Sequence, residues 1–202
     1  MPADRADLTR RLAAATAADT SRGLNYNTLF TMVREHLGEA AAREVDVLGK
    51  GQRIDFFSYP IGEYLTCAWN SVDRLEPALG SAERVLEELG QRTVTSFIGS
   101  MLGRTALVMA GRDPRRLLGS APSGYRGAVS YGERKVEWLG PRQGRLVSRR
   151  DFMPPAFHAS VLLTGLKATD AVAPTVTWQE TGFLDAVYEF AWEAGAGQAL
   201  TA

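Results

Sequence analysis

The hydrophobic periodicity of this chain changes once, and that change constrains the fold more than any single motif. Before about residue 120, apolar residues recur at spacings of three and four, as in Leu29, Met32 and Val33, which is typical of helices with one buried face. From Tyr125 onward, apolar residues alternate with polar ones, which is typical of half-buried strands. Helices followed by strands on short turns predict an α+β fold, with N-terminal helices packed on a C-terminal, mostly antiparallel sheet.

The first half is predicted to be a succession of helices separated by glycine and proline. Apolar spacing predicts them over residues 24–37, 39–48, 60–75, 81–89, 93–109 and 114–118. Ser81 is the predicted N-cap of the fourth helix, and Gly90 is predicted to end that helix. The run from Thr93 to Met109 is predicted to be one long buried helix at the centre of the core, with Phe97 and Leu102 inside.

The second half is predicted to be a sheet with one inserted helix. Alternation predicts strands over residues 125–131, 134–139, 145–148, 175–178 and 183–192. Pro154 and Pro155 are expected to start the helix over residues 156–168. Five residues of the last strand are predicted to share its buried face: Leu184, Ala186, Tyr188, Phe190 and Trp192.

A single domain over residues 23–193 is expected, because neither half could bury its apolar face alone. Residues 1–22 carry few large apolar side chains and are interpreted as a flexible or helical N-terminal arm, and residues 194–202 as a tail.

No stretch of 18 apolar residues and no signal-like segment is present, so no membrane span and a cytoplasmic location are expected.

Composition excludes several classes of function. Lys and Arg together number 23, as do Asp and Glu, so the formal net charge is zero, which disfavours nucleic acid as a partner. The single cysteine, Cys67, can form no internal disulfide and is expected to be a small buried hydrophobic residue rather than a nucleophile. The two histidines, His36 and His158, have no carboxylates at ligand spacing around them, so no metal site is expected.

Short motifs in both halves carry a family resemblance. The second half contains Gly124-Tyr-Arg-Gly-Ala-Val-Ser-Tyr-Gly-Glu-Arg, Asp151-Phe-Met-Pro-Pro-Ala-Phe-His and Leu184-Asp-Ala-Val-Tyr-Glu-Phe-Ala-Trp. The first half contains Tyr59-Pro60, Leu89-Gly90, and Leu102-Gly103 followed by Ala110-Gly-Arg-Asp-Pro114. Together these motifs, across most of residues 23–193, resemble a myxobacterial family of proteins of roughly 200 residues and unknown function.

That family is distantly similar to the fold group of heme–nitric-oxide-binding domains, four-vinyl-reductase domains and TRAPP subunits. The resemblance implies an α+β sandwich with an apolar ligand between helices and sheet, and it brings no catalytic residues. In the heme-binding relatives the proximal histidine lies in the long helix before the sheet, but residues 93–109 contain none. Their Tyr-x-Ser-x-Arg clamp is also missing, because Tyr131 and Arg134 stand at a different spacing with no serine between them. We therefore expect no heme and no other cofactor.

Two groups of residues are candidate binding sites. A pocket for an apolar small molecule is predicted from five residues: Tyr125, Tyr131, Trp138, Phe157 and His158. Free backbone N–H groups at the start of the helix after Pro155 would favour a ligand with one acidic or carbonyl end. The alternative is that these aromatic residues are simply core.

The second candidate site is a patch for an anion or an acidic partner. It is predicted from four arginines of the sheet: Arg142, Arg145, Arg149 and Arg150. Arg112, Arg115 and Arg116 are predicted to lie at the base of the long helix and could join the patch. The alternative is that these are separate solvated charges that folding does not need.

Three functions remain open from the sequence. The first is a non-catalytic ligand-binding or regulatory domain that holds a hydrophobic small molecule between helices and sheet. The second is a protein-interaction adaptor that acts as a homodimer, or on another protein partner, without a ligand. The third is a cyclase- or isomerase-type enzyme of secondary metabolism, in which Asp151 or His158 would supply acid–base chemistry.

Overall fold

The structure, a computed structural model, describes residues 4–193 and all of their side chains except that of Leu102. The predicted tail, 194–202, lies outside the described residues. The described helices are α1 (Arg5–Ala14), α2 (Gly23–Val45), α3 (Ile61–Leu79), α4 (Ala82–Gly99), α5 (Met101–Ala110), α6 (Pro114–Ala128) and α7 (Pro155–Lys167). The described strands are β1 (Thr20–Arg22), β2 (Ser58–Pro60), β3 (Glu133–Gly140), β4 (Gln143–Arg149), β5 (Val172–Gly182) and β6 (Asp185–Glu193).

The α+β prediction is confirmed. Strands β3–β6 form one antiparallel sheet in the order β3-β4-β6-β5, and α7 is the single helix inserted between β4 and β5. Strands β1 and β2 pair separately within the helical half. On β6, Ala186, Tyr188, Phe190 and Trp192 are buried on one face, as their alternation predicts. Leu184 does not share that face, because it lies in the turn before β6 with a φ of 67° and packs on the core of the helical half.

The core has two parts that meet at α7. One lies among α2, α3 and α4, where the largest fully buried side chains include Trp69, Tyr26 and Leu86. The other lies between the sheet and helices α6 and α7, and contains Leu118, Leu146, Leu162, Leu166, Tyr188 and Phe190. The second part is the layer in which the sequence predicts a ligand.

The predicted single helix over residues 93–109 is wrong. Helix α4 ends at Gly99, the Ser100 hydroxyl caps α5 by accepting a hydrogen bond from the Gly103 N–H at 3.1 Å, and the two helices are bent by 86°. The bend needs glycine, since a Cβ on Gly103 would lie 1.9 Å from the Phe97 carbonyl oxygen. Phe97 is 38% exposed, so this segment is not the centre of the core, and the side chain of Leu102 lies outside the description.

Gly90 does not end α4 as predicted. The helix continues through Gly90, and α7 crosses it at this point. A Cβ on Gly90 would lie 2.3 Å from the Phe157 carbonyl oxygen. The glycine therefore permits a close approach of two helices, and it brings α7 tightly onto the helical half.

The predicted strand over residues 125–131 is also wrong, because residues 114–128 form helix α6. Asp113 caps this helix by accepting a hydrogen bond from the Arg115 N–H at 2.8 Å, and Pro114 occupies its first turn. Leu118 and Tyr125 are two turns apart and both pack on the sheet-side core. The short alternation after Tyr125 therefore reflects one face of a helix rather than a strand.

The N-terminal segment packs on the helical half in its described part. Leu8 and Arg11 of α1 are buried, and the indole N–H of Trp69 donates to the Asp4 carbonyl at 3.0 Å. Within the described residues, no single helix is long and apolar enough to cross a membrane. Helices α4 and α5 reach that length and apolarity only together, across their bend.

Candidate functional site

A buried polar network lies where α6, α7 and the sheet meet. It consists of Arg134 on β3, Asp151 just after β4, His158 in the first turns of α7, and Tyr125 near the end of α6. Asp151 Oδ2 accepts from Arg134 Nε at 3.1 Å, and Asp151 Oδ1 lies 2.8 Å from His158 Nε2. The Tyr125 hydroxyl lies 3.1 Å from His158 Nδ1, which completes a chain of contacts from the sheet to α6.

The chain between β4 and α7 places Asp151 in this network. Arg150 turns the backbone with a φ of 52°, and Asp151 then accepts hydrogen bonds from the Ser148 hydroxyl and the Met153 N–H, each at 3.2 Å. Pro154 precedes α7 in an extended conformation, so the helix starts immediately and its first turns carry His158 back towards Asp151.

Arg134 and Asp151 are charged although both are buried, with side chains 3% and 4% exposed. Burial alone would raise the pKa of Asp151, but its contacts with His158 and Arg134 outweigh burial and hold that pKa well below its usual range. Burial alone would lower the pKa of Arg134, but Asp151 raises it. The guanidinium also lies over the ring of Tyr125 at 4.4 Å and near that of Tyr131 at 5.7 Å.

His158 faces a polar neighbour at each ring nitrogen. Its Nε2 lies 2.8 Å from Asp151 Oδ1, within ion-pair distance, but the two groups are too poorly aligned for a hydrogen bond. Its Nδ1 faces the Tyr125 hydroxyl, and its ring packs edge-on against Phe157 and Tyr188 at 4.9 and 6.0 Å between centroids. With only 4% of its surface exposed, His158 is a core residue.

The structure brings four of the five predicted pocket residues together and leaves one apart. Tyr125 and His158 belong to the network, and Tyr131 and Phe157 border it, with Tyr131 packed edge-on against Phe152 at 4.9 Å. Trp138 lies instead beside Phe190 and Trp192, at 5.6 and 6.4 Å, under the guanidinium of Arg115 at 4.0 Å.

Sequence reasoning missed the central ion pair of this network. The sequence offers two signals that Asp151 is held in place: a serine three residues before it, and two prolines shortly after it that start a helix.

The layer between α6, α7 and the sheet contains the buried side chains of Leu118, Leu146, Leu162 and Leu166. Of the fifteen residues of α6, only Pro114 and Leu118 are buried. The two clefts that are best defined among the described residues, of about 470 and 380 Å³, lie instead along α2. Their linings include Asn27, Thr31 and Gln52, and neither reaches the network.

The four arginines of the predicted basic patch have different surroundings. Arg150 binds Asp19 through two contacts of 2.7 Å and stacks on Phe152 at 5.0 Å, so it connects the sheet to the N-terminal segment. Its guanidinium holds the pKa of Asp19 at about 2. Arg145 pairs with Glu137 at 2.8 Å, and Arg142 and Arg149 are exposed. At least two of the four charges are therefore neutralised by neighbouring carboxylates.

The other reactive side chains have ordinary structural surroundings. Cys67 is fully buried, and burial raises the pKa of its thiol to about 11, which disfavours a nucleophilic thiolate. His36 pairs with Glu88 at 2.8 Å on the outside of the helical half. Within residues 4–193, no group of three His, Cys, Asp or Glu side chains could hold a metal ion.

Solved structures with the same fold include H-NOX proteins. An Fe(II) unliganded H-NOX protein from K. algicida superposes with a TM-score of 0.69 at 12% identity, over 87% of this chain and 98% of that one. An H-NOX protein from S. oneidensis in the Fe(II)NO state matches with a TM-score of 0.69 at 14% identity, over 86% and 99%. The IWP-051-bound H-NOX from Shewanella woodyi matches with a TM-score of 0.62 at 13% identity, over 89% and 98%. At these identities the likeness shows the fold alone.

The sequence comparisons agree with the resemblance inferred from the short motifs. No curated protein matches the chain. The family described as "Protein of unknown function (DUF2378)" matches residues 14–193, which include every residue of the network. The chain therefore belongs to this DUF2378 family, and its fold is that of the H-NOX domains.

Proposed function

We propose that this chain is a non-catalytic regulatory domain that binds an apolar small molecule between α6 and the sheet. The observation that carries the proposal is the weak attachment of α6, which has two buried residues and yet covers a face lined by Leu146, Tyr188 and Phe190. Besides these residues, α6 is held on this side mainly by Tyr125 and Arg115, and a helix held by so few side chains can open locally at low cost. A ligand that takes the place of the Leu118 side chain would stabilise the open state.

The network predicts the polar end of this ligand. The sequence suggested an acidic or carbonyl end near the start of α7, but Asp151 already supplies a carboxylate there and bonds the Met153 N–H. A second buried anion next to Asp151 would be repelled. A hydroxyl could replace that of Tyr125 on His158 Nδ1 once α6 lifts. We therefore expect a neutral ligand with an apolar body and one hydroxyl end.

The residues do not fit heme, although the H-NOX relatives are described in Fe(II) states. A proximal ligand needs a free imidazole nitrogen aimed into an apolar cavity. His158 has Asp151 and Tyr125 at its two nitrogens, and His36 pairs with Glu88 outside the sandwich. Arg134, which stands three residues after Tyr131, is paired with Asp151 and is therefore not available to bind a heme propionate. The proposed ligand is therefore not heme.

A titration with two matched probes tests this function. Trp138 borders the sheet face and is covered by Arg115 of α6, so its fluorescence should change when α6 lifts. We expect 1-naphthol to bind with a Kd below about 100 μM and 1-naphthoate to bind at least about tenfold more weakly. Tyr125→Phe should tighten 1-naphthol binding, because it removes the competing hydroxyl, and Tyr131→Phe is the matched control. Absence of binding by both probes would contradict the proposal.

The second candidate function is an adaptor that binds a protein partner or a second copy without a ligand. The position of the two best-defined clefts favours it, since both lie along α2 and neither reaches the network. A dimer that persists on dilution, together with native mass spectra free of any small molecule, would support the adaptor. The enzyme alternative has no comparable support, because Asp151 and His158 are buried and paired with each other.

A further inference from the structure

Helix α5 carries an exposed apolar face. Met101, Val108 and Met109 are 78%, 77% and 78% exposed, although such side chains are usually buried. Positions 101, 104, 105, 108 and 109 fall on one side of a helix, so these three residues share an outward face with Arg104 and Thr105. The bend at Gly103 holds this helix away from the axis of α4.

The segment of sequence that contains α5 is basic. Residues 93–132 contain five arginines against one aspartate and no lysine or glutamate, a formal charge of +4 in a chain whose net charge is zero. Two of these arginines have carboxylate partners, since Arg112 pairs with Asp170 and Arg116 with Asp113. Among the described ion pairs, Arg104 on α5 has no carboxylate partner, and neither has Arg115, whose guanidinium donates to the Gly140 and Pro141 carbonyls at 2.9 and 3.3 Å.

We propose that α5 docks this domain on the surface of an anionic lipid membrane. A short helix that presents apolar side chains outward, beside arginines free of carboxylate partners, has the two features that interfacial helices combine. The apolar side chains would enter the boundary between headgroups and acyl chains, and the arginines would contact lipid phosphates. A protein partner would also cover apolar side chains, but the excess of unpaired positive charge favours an anionic surface.

Vesicle flotation of the full chain tests this proposal. We expect the protein to float with vesicles of phosphatidylcholine and phosphatidylglycerol, and to float poorly with phosphatidylcholine alone or at high salt. Met101→Ser, Val108→Ser and Met109→Ser combined should weaken binding at least about tenfold, because the apolar contact is lost. Arg104→Glu should weaken binding at least about fivefold.

The matched control is Leu139→Ser combined with Val172→Ser, which removes exposed apolar side chains from the sheet instead of α5. This variant should float as the unmodified chain does, and circular dichroism should show that all variants fold. Equal flotation with and without phosphatidylglycerol, or unchanged flotation of the triple variant, would overturn the proposal. A concentration-dependent dimer that the triple variant alone loses, without vesicle binding, would assign the face to a second copy instead.

Discussion

Replacing Asp151 by asparagine should be among the most destabilising single changes in this protein. The substitution keeps the shape of the side chain but leaves the guanidinium of Arg134 buried without its counter-charge. Breaking a buried ion pair in this way costs about 3–5 kcal/mol. In a domain of this size such a loss lowers the melting temperature by about 6–20 °C.

Urea denaturation followed by circular dichroism measures this loss. Asp170→Asn is the matched control, because Asp170 also pairs with an arginine, at 3.0 Å, but both side chains are at least 60% exposed. Its cost should be no more than about 1 kcal/mol. Arg134→Gln combined with Asp151→Asn should cost less than the sum of the two single changes, since the double variant leaves neither charge unpaired.

The pH dependence provides an independent test of the same ion pair. The pKa of Asp151 is lowered in the folded state, so the stability that it contributes is fully present above its unfolded pKa of about 4. That contribution is lost as the pH falls towards the folded pKa. The difference in unfolding free energy between the unmodified chain and Asp151→Asn should therefore be larger above about pH 5 than in stronger acid. A cost below about 1 kcal/mol, or a difference that does not shrink in acid, would refute the reasoning.

Two further substitution pairs test the packing of α4. Gly90→Ala should cost about 1–3 kcal/mol because its Cβ would meet the Phe157 carbonyl, whereas Gly99→Ala, with open space around it, should be neutral or stabilising. Leu86→Ala should cost about 2–5 kcal/mol because Leu86 is fully buried, and Phe97→Ala, at 38% exposure, should cost clearly less. Thermal melts of the four variants test both comparisons. Equal losses of stability within either pair would contradict the observed helix contacts.

The order of elements could be predicted from the sequence because it depends on local patterns. Ser81 caps α4 as predicted, by accepting a hydrogen bond from the Arg84 N–H at 3.2 Å, and the alternation of β6 places Tyr188 and Phe190 on the buried face. The break at Ser100 could not be predicted from apolar spacing, because a capping hydroxyl and a glycine contact outweigh a continuous apolar run. The alternation of apolar and polar residues from Tyr125 covers only seven residues, which is too short a stretch to distinguish a strand from one face of a helix.

The candidate site was predictable in part. Four of the predicted residues lie on or next to elements that the sequence indicates, and in the structure they gather around one point: Tyr125, Tyr131, Phe157 and His158. The pairing of Arg134 with Asp151 depends on how β3 and the start of α7 meet in space, and no spacing along the chain reveals it. Trp138 contacts Phe190 and Trp192 of β6 rather than the network, and spacing along the chain does not reveal this neighbourhood.

Hydrogen exchange of α6 with and without 1-naphthol tests the central claim most directly. If a ligand enters between α6 and the sheet by lifting the helix, the amides of residues 114–128 should exchange faster when 1-naphthol is bound, because few of these residues are buried to begin with. The amides of β4 and β6, which form the covered face, should keep or increase their protection. Binding without any change in residues 114–128, or slower exchange throughout α6, would contradict the account.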